Sequence, residues 1–270
     1  MCLRIENLSF MYHNNQVLRD VNFSLDYGKY VCIIGKNGAG KTTLFKCILN
    51  ILSSYCGCIY VDNKELRHYS VRQRANIIAY IPQTYNSAYD YSVFEMILMG
   101  TTSSFGALQQ PGKKQLDRAF AALRAIDIEN FKERKFSTLS GGERQLVMIA
   151  RAVAQNARIL LLDEPCTGLD YGNQIHILSI LKSLSKEGYL VLQITHNPDH
   201  ALWFADEVLV LENGSISDIG TPENVLTETL IERVYNTPVA VCTVKETGKK
   251  ICVPFNCYKR SSSYGDRKQL

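Results

Sequence analysis

Hydrophobic and polar positions along the chain follow two periods that take turns. Val21, Phe23 and Leu25 alternate with polar residues, the period-two pattern of a half-buried strand. "YVCII" at 30–34 is a short unbroken apolar run stopped by glycine, which predicts a strand covered on both faces. It leads through "GKNGAGKTT" into the helical pattern "LFKCILNIL". "CIYVDNKEL" predicts a strand with a turn at Asp62-Asn63, and "NIIAYIPQ" predicts a buried strand ended by Pro82. From about Thr84 the character changes. "VFEMILMG" and "KKQLDRAFAALRAIDI" are helical, joined by the polar "TTSSFGALQQPGKK".

Beyond this insert the two periods alternate regularly. A helix over about 141–155, with Leu146, Ile149, Ala150 and Val153 on one apolar face, precedes the strand "RILLLDEP". Then come the helix "QIHILSILKSLSKEG", the strand "YLVLQIT", a helix near 198–205 and the strand "EVLVLENG". Strands alternating with helices predict βαβ units and a largely parallel sheet, hence an α/β fold. "AVCTVKETGKKICVPF" predicts a hairpin around Thr247-Gly248, and "YKRSSSYGDRKQL" a solvated basic tail.

Composition narrows the function classes. Apolar residues make up 46% and charged residues 21% of the 270, enough for a sizeable core and close to a globular average. A net charge of +4 is too mild to point to nucleic acid. No apolar run reaches the ~18–20 residues of a membrane span, and "MCLRIENLSF" lacks the pattern of a signal peptide. A cytosolic chain is expected. The nine cysteines, an odd number, fall largely within apolar patterns and are read as small buried hydrophobes in a reducing compartment. Cys56-Gly57-Cys58 lacks the companion ligands of a zinc site.

The chemistry concentrates at a few glycine-rich and acidic positions. Gly35 to Thr42 fits G-x-x-x-x-G-K-[ST], between a predicted strand and a predicted helix. Gly35, Gly38 and Gly40 let the backbone curl so that successive amides face phosphates. Lys41 reaches β- and γ-phosphates as a point charge, Thr42 offers a hydroxyl to Mg²⁺, and Thr43 is expected to begin the helix, whose dipole attracts the anion. Asp163 and Glu164 close an apolar strand, at the edge where parallel sheets bind ligands. Asp163 is placed to hold Mg²⁺, and Glu164 to orient or deprotonate a water. His196 follows another such strand, and Gln83 follows "AYIP"; taken singly, each reads as structural.

A second glycine cluster opens the helix of "FSTLSGGERQLVMIARAV" (136–153). Ser140 and Glu143 have the spacing of a capping box, and the Gly141-Gly142 pair bares backbone amides for an anion. The chain thus has two phosphate-ready helix starts, at 41 and at 140. One nucleotide could meet both within a chain, or each could serve a different chain.

Together these pieces resemble the ATP-binding cassette (ABC) ATPases over residues 1 to about 235, with "GKNGAGKTT", "IPQ", "LSGGERQ", "ILLLDEP" with "TGLD", and "ITH" in the family's order. The resemblance implies a P-loop NTPase cassette, with a RecA-like core, an antiparallel β-subdomain and a helical subdomain inserted at about 84–140. A hairpin extension would follow at 236–258 and a basic tail at 259–270. It implies ATP binding by Tyr12, stacked on adenine, and by Gly35, Asn37, Gly38, Ala39, Gly40, Lys41, Thr42 and Thr43. Mg²⁺ would be held by Thr42, Gln83 and Asp163. Glu164 would be the catalytic base, His196 the γ-phosphate switch and Gln83 the sensor of metal and water. Ser140, Gly141, Gly142 and Glu143 would face the ATP of a partner cassette, with Asp170 linking the two. Thr42 in place of serine, Glu143 in place of glutamine, Asn197 in place of aspartate and the form "TGLD" depart from the commonest motifs without removing a functional group.

"YSVFEMILMG", "LSGGERQLVMIARAVAQ", "THNPDHALWFADEVLVLENG" and "GTPENVLTETLIERVYNTPVAV" are similar to the importer branch that serves iron–siderophore, haem, cobalamin and, in one sub-branch, molybdate. That branch implies a homodimer on the inner face of the cell membrane. Its partners would be separate permease chains and, indirectly, a solute-binding protein, with no nucleic acid. The competing readings are an exporter ATPase and a soluble ABC ATPase of DNA repair or ribosomes. The soluble relatives carry two cassettes or a long coiled coil, and this sequence has one P-loop and no sustained heptads.

Overall fold

The computed structural model describes residues 2–85, 89–104 and 110–255. The chain opens with a hairpin of β1 (Leu3–Tyr12) and β2 (Asn15–Leu25), turning at His13-Asn14. β3 (Tyr30–Ile34) and α1 (Lys41–Ile48) follow. β4 (Cys56–Val61) and β5 (Lys64–Glu65) then complete an antiparallel sheet of order β2-β1-β4-β5. The β4–β5 turn is the expected Asp62-Asn63, both residues at positive φ (49° and 63°), as a turn matched to strand twist requires.

After α2 (Val71–Ala75) and β6 (Ile78–Ile81), α3 (Val93–Leu98) runs into a 3₁₀ turn at Met99–Ser104. α4 (Lys113–Ala125) and α5 (Gly141–Ala154) pack against α3. The rest alternates: β7 (Ile159–Asp163), α6 (Tyr171–Lys186), β8 (Leu190–Ile194), α7 (Pro198–Phe204), β9 (Glu207–Glu212), β10 (Ser215–Gly220), α8 (Pro222–Val225) and α9 (Glu228–Tyr235). β11 (Val239–Thr243) and β12 (Lys250–Pro254) form a hairpin, with Trp203 Nε1 donating to the Lys250 carbonyl (3.0 Å). Residues 105–109 of the polar linker, Cys257 and the tail at 259–270 lie outside the described residues.

The second sheet runs β10-β9-β3-β8-β7-β6, parallel except for β10. The parity of its strands explains their unbroken apolar runs. Tyr30, Cys32 and Ile34 of β3 join Leu160 and Leu162 of β7 in a core with α3 to α6. Val31 and Ile33 join Ile159, Leu161, α1 and the antiparallel sheet in the other. Both faces are covered, so no polar face is left to alternate with. The architecture is the α/β cassette that the sequence implies: a parallel core, an antiparallel β-layer and a helical segment.

Two expectations need correction. α5 is buried on more than one face: Leu146 through Ala150 are consecutively buried. α3 and α4 cover it on one side, β6 and α6 on others, so a 3/4 stripe understates its contacts. α1 begins at Lys41, two residues before Thr43, because Gly40 in the left-handed region (φ 104°) supplies the turn into the helix. The described cysteines are all free thiols.

Candidate functional site

Three parallel strands deliver the predicted groups to one edge. β3 ends at the glycine loop, β7 at Asp163-Glu164 and β8 at Thr195-His196, with β3 and β7 flanking β8 in the sheet. That carboxyl edge is where open α/β sheets bind ligands. A cavity of about 310 Å³ opens there, walled by Tyr12, Asn37, Gly38, Gly40, Lys41, Thr42, Thr43, Glu164 and His196. Gly40 shapes it twice over. Its φ disfavours any other residue, and a Cβ there would lie 3.0 Å from the Val17 carbonyl oxygen.

α1 has no side-chain cap, so its first amides remain open toward this cavity. Lys41 is nearly buried, and its Nζ donates to the carbonyls of Gly35 (2.7 Å) and Lys36 (2.9 Å). Burial lowers its pKa, and the carboxylates of Glu164 and Asp163 oppose that. Ala39 is buried behind the loop, where its N–H donates to the Lys36 carbonyl (3.2 Å). Tyr12 ends β1, is 40% exposed, lines the cavity, and has its ring nearly perpendicular to that of Phe10 (83°).

Asp163 is buried and accepts from Thr42 Oγ1 (3.0 Å) and Tyr80 OH (3.4 Å). Burial raises its carboxyl pKa above the ordinary carboxylate value, and the Thr42 bond works against that. Glu164 has φ 50°, an uncommon conformation for this residue type that the surrounding structure has to enforce. Its Oε2 accepts from Gln83 Nε2 (3.1 Å) and Thr167 Oγ1 (3.1 Å), and its Oε1 pairs with His196 Nε2. A carboxylate held from three sides at the mouth of a phosphate cradle is placed to receive a proton from water.

Thr42, Asp163 and Gln83 offer hydroxyl, carboxylate and amide oxygens, the hard donors that Mg²⁺ takes. No group of three His, Cys, Asp or Glu among the described residues is arranged to hold a metal ion by itself. Mg²⁺ needs no such cage, because it keeps several waters and takes other ligands from phosphates.

The second glycine cluster lies outside this cavity's walls. Ser140 Oγ accepts from the Glu143 N–H (3.3 Å) and Glu143 Oε2 from the Ser140 N–H (2.7 Å), a reciprocal capping box. Those bonds, the Ser140 N–H first, hold the Glu143 carboxyl below its ordinary pKa, and Arg134 (2.7 Å) adds to the effect. Gly142 has no room for a side chain, since a Cβ would lie 2.7 Å from Asn173 Cγ. Asn173 also donates to Asp170 from its N–H (2.9 Å) and from Nδ2 (2.6 Å), which caps α6 and lowers the Asp170 pKa. The structure therefore brings Tyr12, 35–43, Gln83, Asp163, Glu164 and His196 into one site. It brings 140–143 and Asp170 into another, joined through Asn173. Sequence reasoning alone misses Tyr80, Thr167 and Asn173. Thr167 carried a readable signal, a hydroxyl three residues after an acid in a turn.

With this geometry in hand, the comparisons with known proteins agree on one class. The ABC transporter family model matches residues 18–167. The chain belongs to that family, as an ATP-binding cassette with ATPase chemistry. It is 35% identical over 237 residues (88% of this chain, 90% of the relative) to an uncharacterized ABC transporter ATP-binding protein of Haemophilus influenzae. It is 33% identical over 261 residues (95% and 96%) to the iron(3+)-hydroxamate import ATP-binding protein FhuC of Bacillus subtilis. A manganese transport system ATP-binding protein, MntB of Listeria innocua, is 34% identical over 241 residues (88% and 98%). Among solved structures, an inward-facing conformation of an ABC transporter assigned to the metal-chelate type superposes with TM-score 0.83 at 31% identity, covering 95% of this chain and 98% of that one. The dimeric structure of the bacterial cassette MJ0796 superposes with TM-score 0.71 at 26% identity, covering 82% and 98%. No helix among the described residues is long and apolar enough to cross a membrane.

Proposed function

We propose that this chain is the ATP-hydrolysing subunit of an importer for a metal chelate of the iron–siderophore, haem or cobalamin kind, acting through a separate membrane permease. The observation that carries the ATPase half is the convergence of Gln83, Glu164 and His196 at the phosphate-loop cavity. The cargo half rests on the iron-hydroxamate relative and the metal-chelate structure. The manganese relative favours a second reading, an importer of uncomplexed metal.

In the proposed cycle adenine stacks on Tyr12, and the loop amides of Asn37 to Thr43 surround the phosphates. Lys41 exchanges the loop carbonyls for phosphate oxygens. Thr42, Asp163 and Gln83 would hold Mg²⁺, which would supply positive charge to offset that of the triphosphate. Glu164 takes a proton from the attacking water. The new P–O bond forms at the γ-phosphorus as its bond to the bridging oxygen breaks, leaving ADP and phosphate. His196 holds a γ-oxygen throughout. Ser140, Gly141, Gly142 and Glu143 face the ATP of a second copy, and Asp170 links the copies, so the working unit is a homodimer. Its closing and parting move the permease through the helical segment at 84–140, and a solute-binding protein delivers cargo from outside. The chain itself sits on the inner face of the membrane.

The test is co-purification from detergent-solubilised membranes, paired with uptake of labelled ferric siderophore, haem, cobalamin and Mn²⁺. Recovery of a multi-span permease, with chelate uptake lost in Glu164→Gln, is the expected outcome. Uptake of Mn²⁺ alone would select the second reading, and recovery with ribosomes or DNA would sink both.

A further inference from the structure

A hydrogen-bonded chain leaves the site from the residue next to His196. The Thr195 hydroxyl, at the end of β8, lies 3.5 Å from His200 Nδ1. His200 Nε2 lies 3.2 Å from Gln174 Oε1. Gln174 Nε2 donates to the carbonyl of Leu169 (2.8 Å), the residue before Asp170. The backbone N–H of Asn197 donates to the same Thr195 hydroxyl (3.1 Å), which ties the loop carrying His196 to this chain from its other side.

One tautomer satisfies every link. Thr195 donates its proton to Nδ1 of a neutral His200, whose Nε2–H donates to Gln174, whose amide donates to the Leu169 carbonyl. A protonated His200 would place a donor on Nδ1, against a hydroxyl that would have to turn its own proton away. Burial favours the neutral ring: His200 is 6% exposed and desolvation lowers its pKa, with Asp199 beside it opposing. The chain also has room to rearrange. His200, Gln174 and Thr195 form part of the wall of a cavity of about 200 Å³ that Glu164 and His196 also line.

From this continuity we infer that His200 and Gln174 are positioning residues that couple the His196 loop to the Asp170 turn, so that hydrolysis at the phosphate site and the contact at Asp170 report to each other. Neither lines the nucleotide cavity itself. They act through Thr195 on one side and Leu169 on the other. The inference rests on the reading of His196 as the γ-phosphate contact.

The experiment uses the full-length protein and compares His200→Phe, Gln174→Leu, the double variant and His196→Ala. ATP affinity and steady-state turnover are measured for each. His200→Phe replaces the imidazole by a somewhat larger ring without nitrogens and removes both bonds, and Gln174→Leu removes its bonds at a half-buried position. Each single variant is expected to bind ATP as the wild type does and to lose about tenfold in kcat with little change in KM, the size of a coupling carried by a few contacts. The double variant is expected to lose no more than either single one, because cutting a chain twice adds nothing. Additive losses, or a folded single variant whose kcat stays within about twofold of wild type, would overturn the coupling. If His200→Phe does not fold, Gln174→Leu decides alone. Full turnover in His196→Ala would overturn the underlying reading of His196. Loss in His196→Ala with normal His200→Phe and Gln174→Leu would overturn only the coupling.

Discussion

α1 and α5 both begin with glycines where an anion could bind, and they are finished in opposite ways. α1 starts from Gly40 without a side-chain cap, so all of its first amides stay open, and they face a cavity that also holds Lys41, Glu164 and His196. α5 starts from a complete Ser140–Glu143 box, which occupies the first and fourth amides and leaves those of Gly141 and Gly142. Its Ser140 and Gly141 are exposed, and no lysine or acid pair of the phosphate cavity faces them. The first end is a site complete within one chain. The second is a preformed pair of donors to which the described residues of the same chain bring no such counterpart. The difference supports the proposal that α5 serves a nucleotide held by another copy.

The largest expected effect falls on the first end. Lys41→Ala should abolish measurable ATP binding in an equilibrium titration; unaltered affinity would undo the phosphate-loop reading and with it the comparison. Glu164→Gln should bind ATP normally yet turn over on the order of 10²–10⁴-fold more slowly, as loss of a general base does. It should also elute as a dimer with ATP on size exclusion. Wild-type kcat in that variant would remove Glu164 from the role of base.

Mixing tests the second end directly. Gly142→Val forces a side chain into Asn173, so it should retain ATP binding by the monomer and lose hydrolysis. Lys41→Ala is also inactive alone. In a mixed dimer one site pairs the intact loop of the Gly142 variant with the intact α5 of the Lys41 variant. Mixing the two should therefore restore part of the turnover. If both glycine clusters served one nucleotide within a chain, no mixture would recover activity.

The comparison also shows what the sequence could carry. The phosphate loop was legible because strand, glycines, lysine and hydroxyl are contiguous, and the unbroken apolar runs of β3, β7 and β8 marked strands covered on both faces. What stayed hidden depends on distant segments meeting. Tyr80 reaches Asp163 because β6 lies beside β7. Asn173 joins Asp170 to Gly142 because α5 and α6 start side by side. His200 and Gln174 meet across α6 and α7, and neither belongs to a local pattern that announces it. The apolar stripe of α5 understates its burial for the same reason, since its other faces are covered by elements far away in sequence.

The smallest expected effect separates the two parts of the α5 cap. Glu143→Gln keeps a side-chain acceptor for the Ser140 N–H and removes the charge and the acceptor facing Arg134. The folded pKa of Glu143 lies below its ordinary value of 4.5, so its charge stabilises the fold above that pH and ceases to do so as pH falls through the lower folded value. Wild type should melt slightly above Glu143→Gln at pH 7, and the gap should close as pH falls below about 4.5. Ser140→Ala removes the acceptor itself and should cost about 1 kcal/mol, or roughly 2–4 °C in Tm for a chain of this size. That loss should persist on acidification further than the Glu143 gap, because the hydroxyl does not titrate. A Ser140→Ala deficit that vanished together with the Glu143→Gln gap would mean that the glutamate's charge, and not the reciprocal box, holds the start of α5 in place.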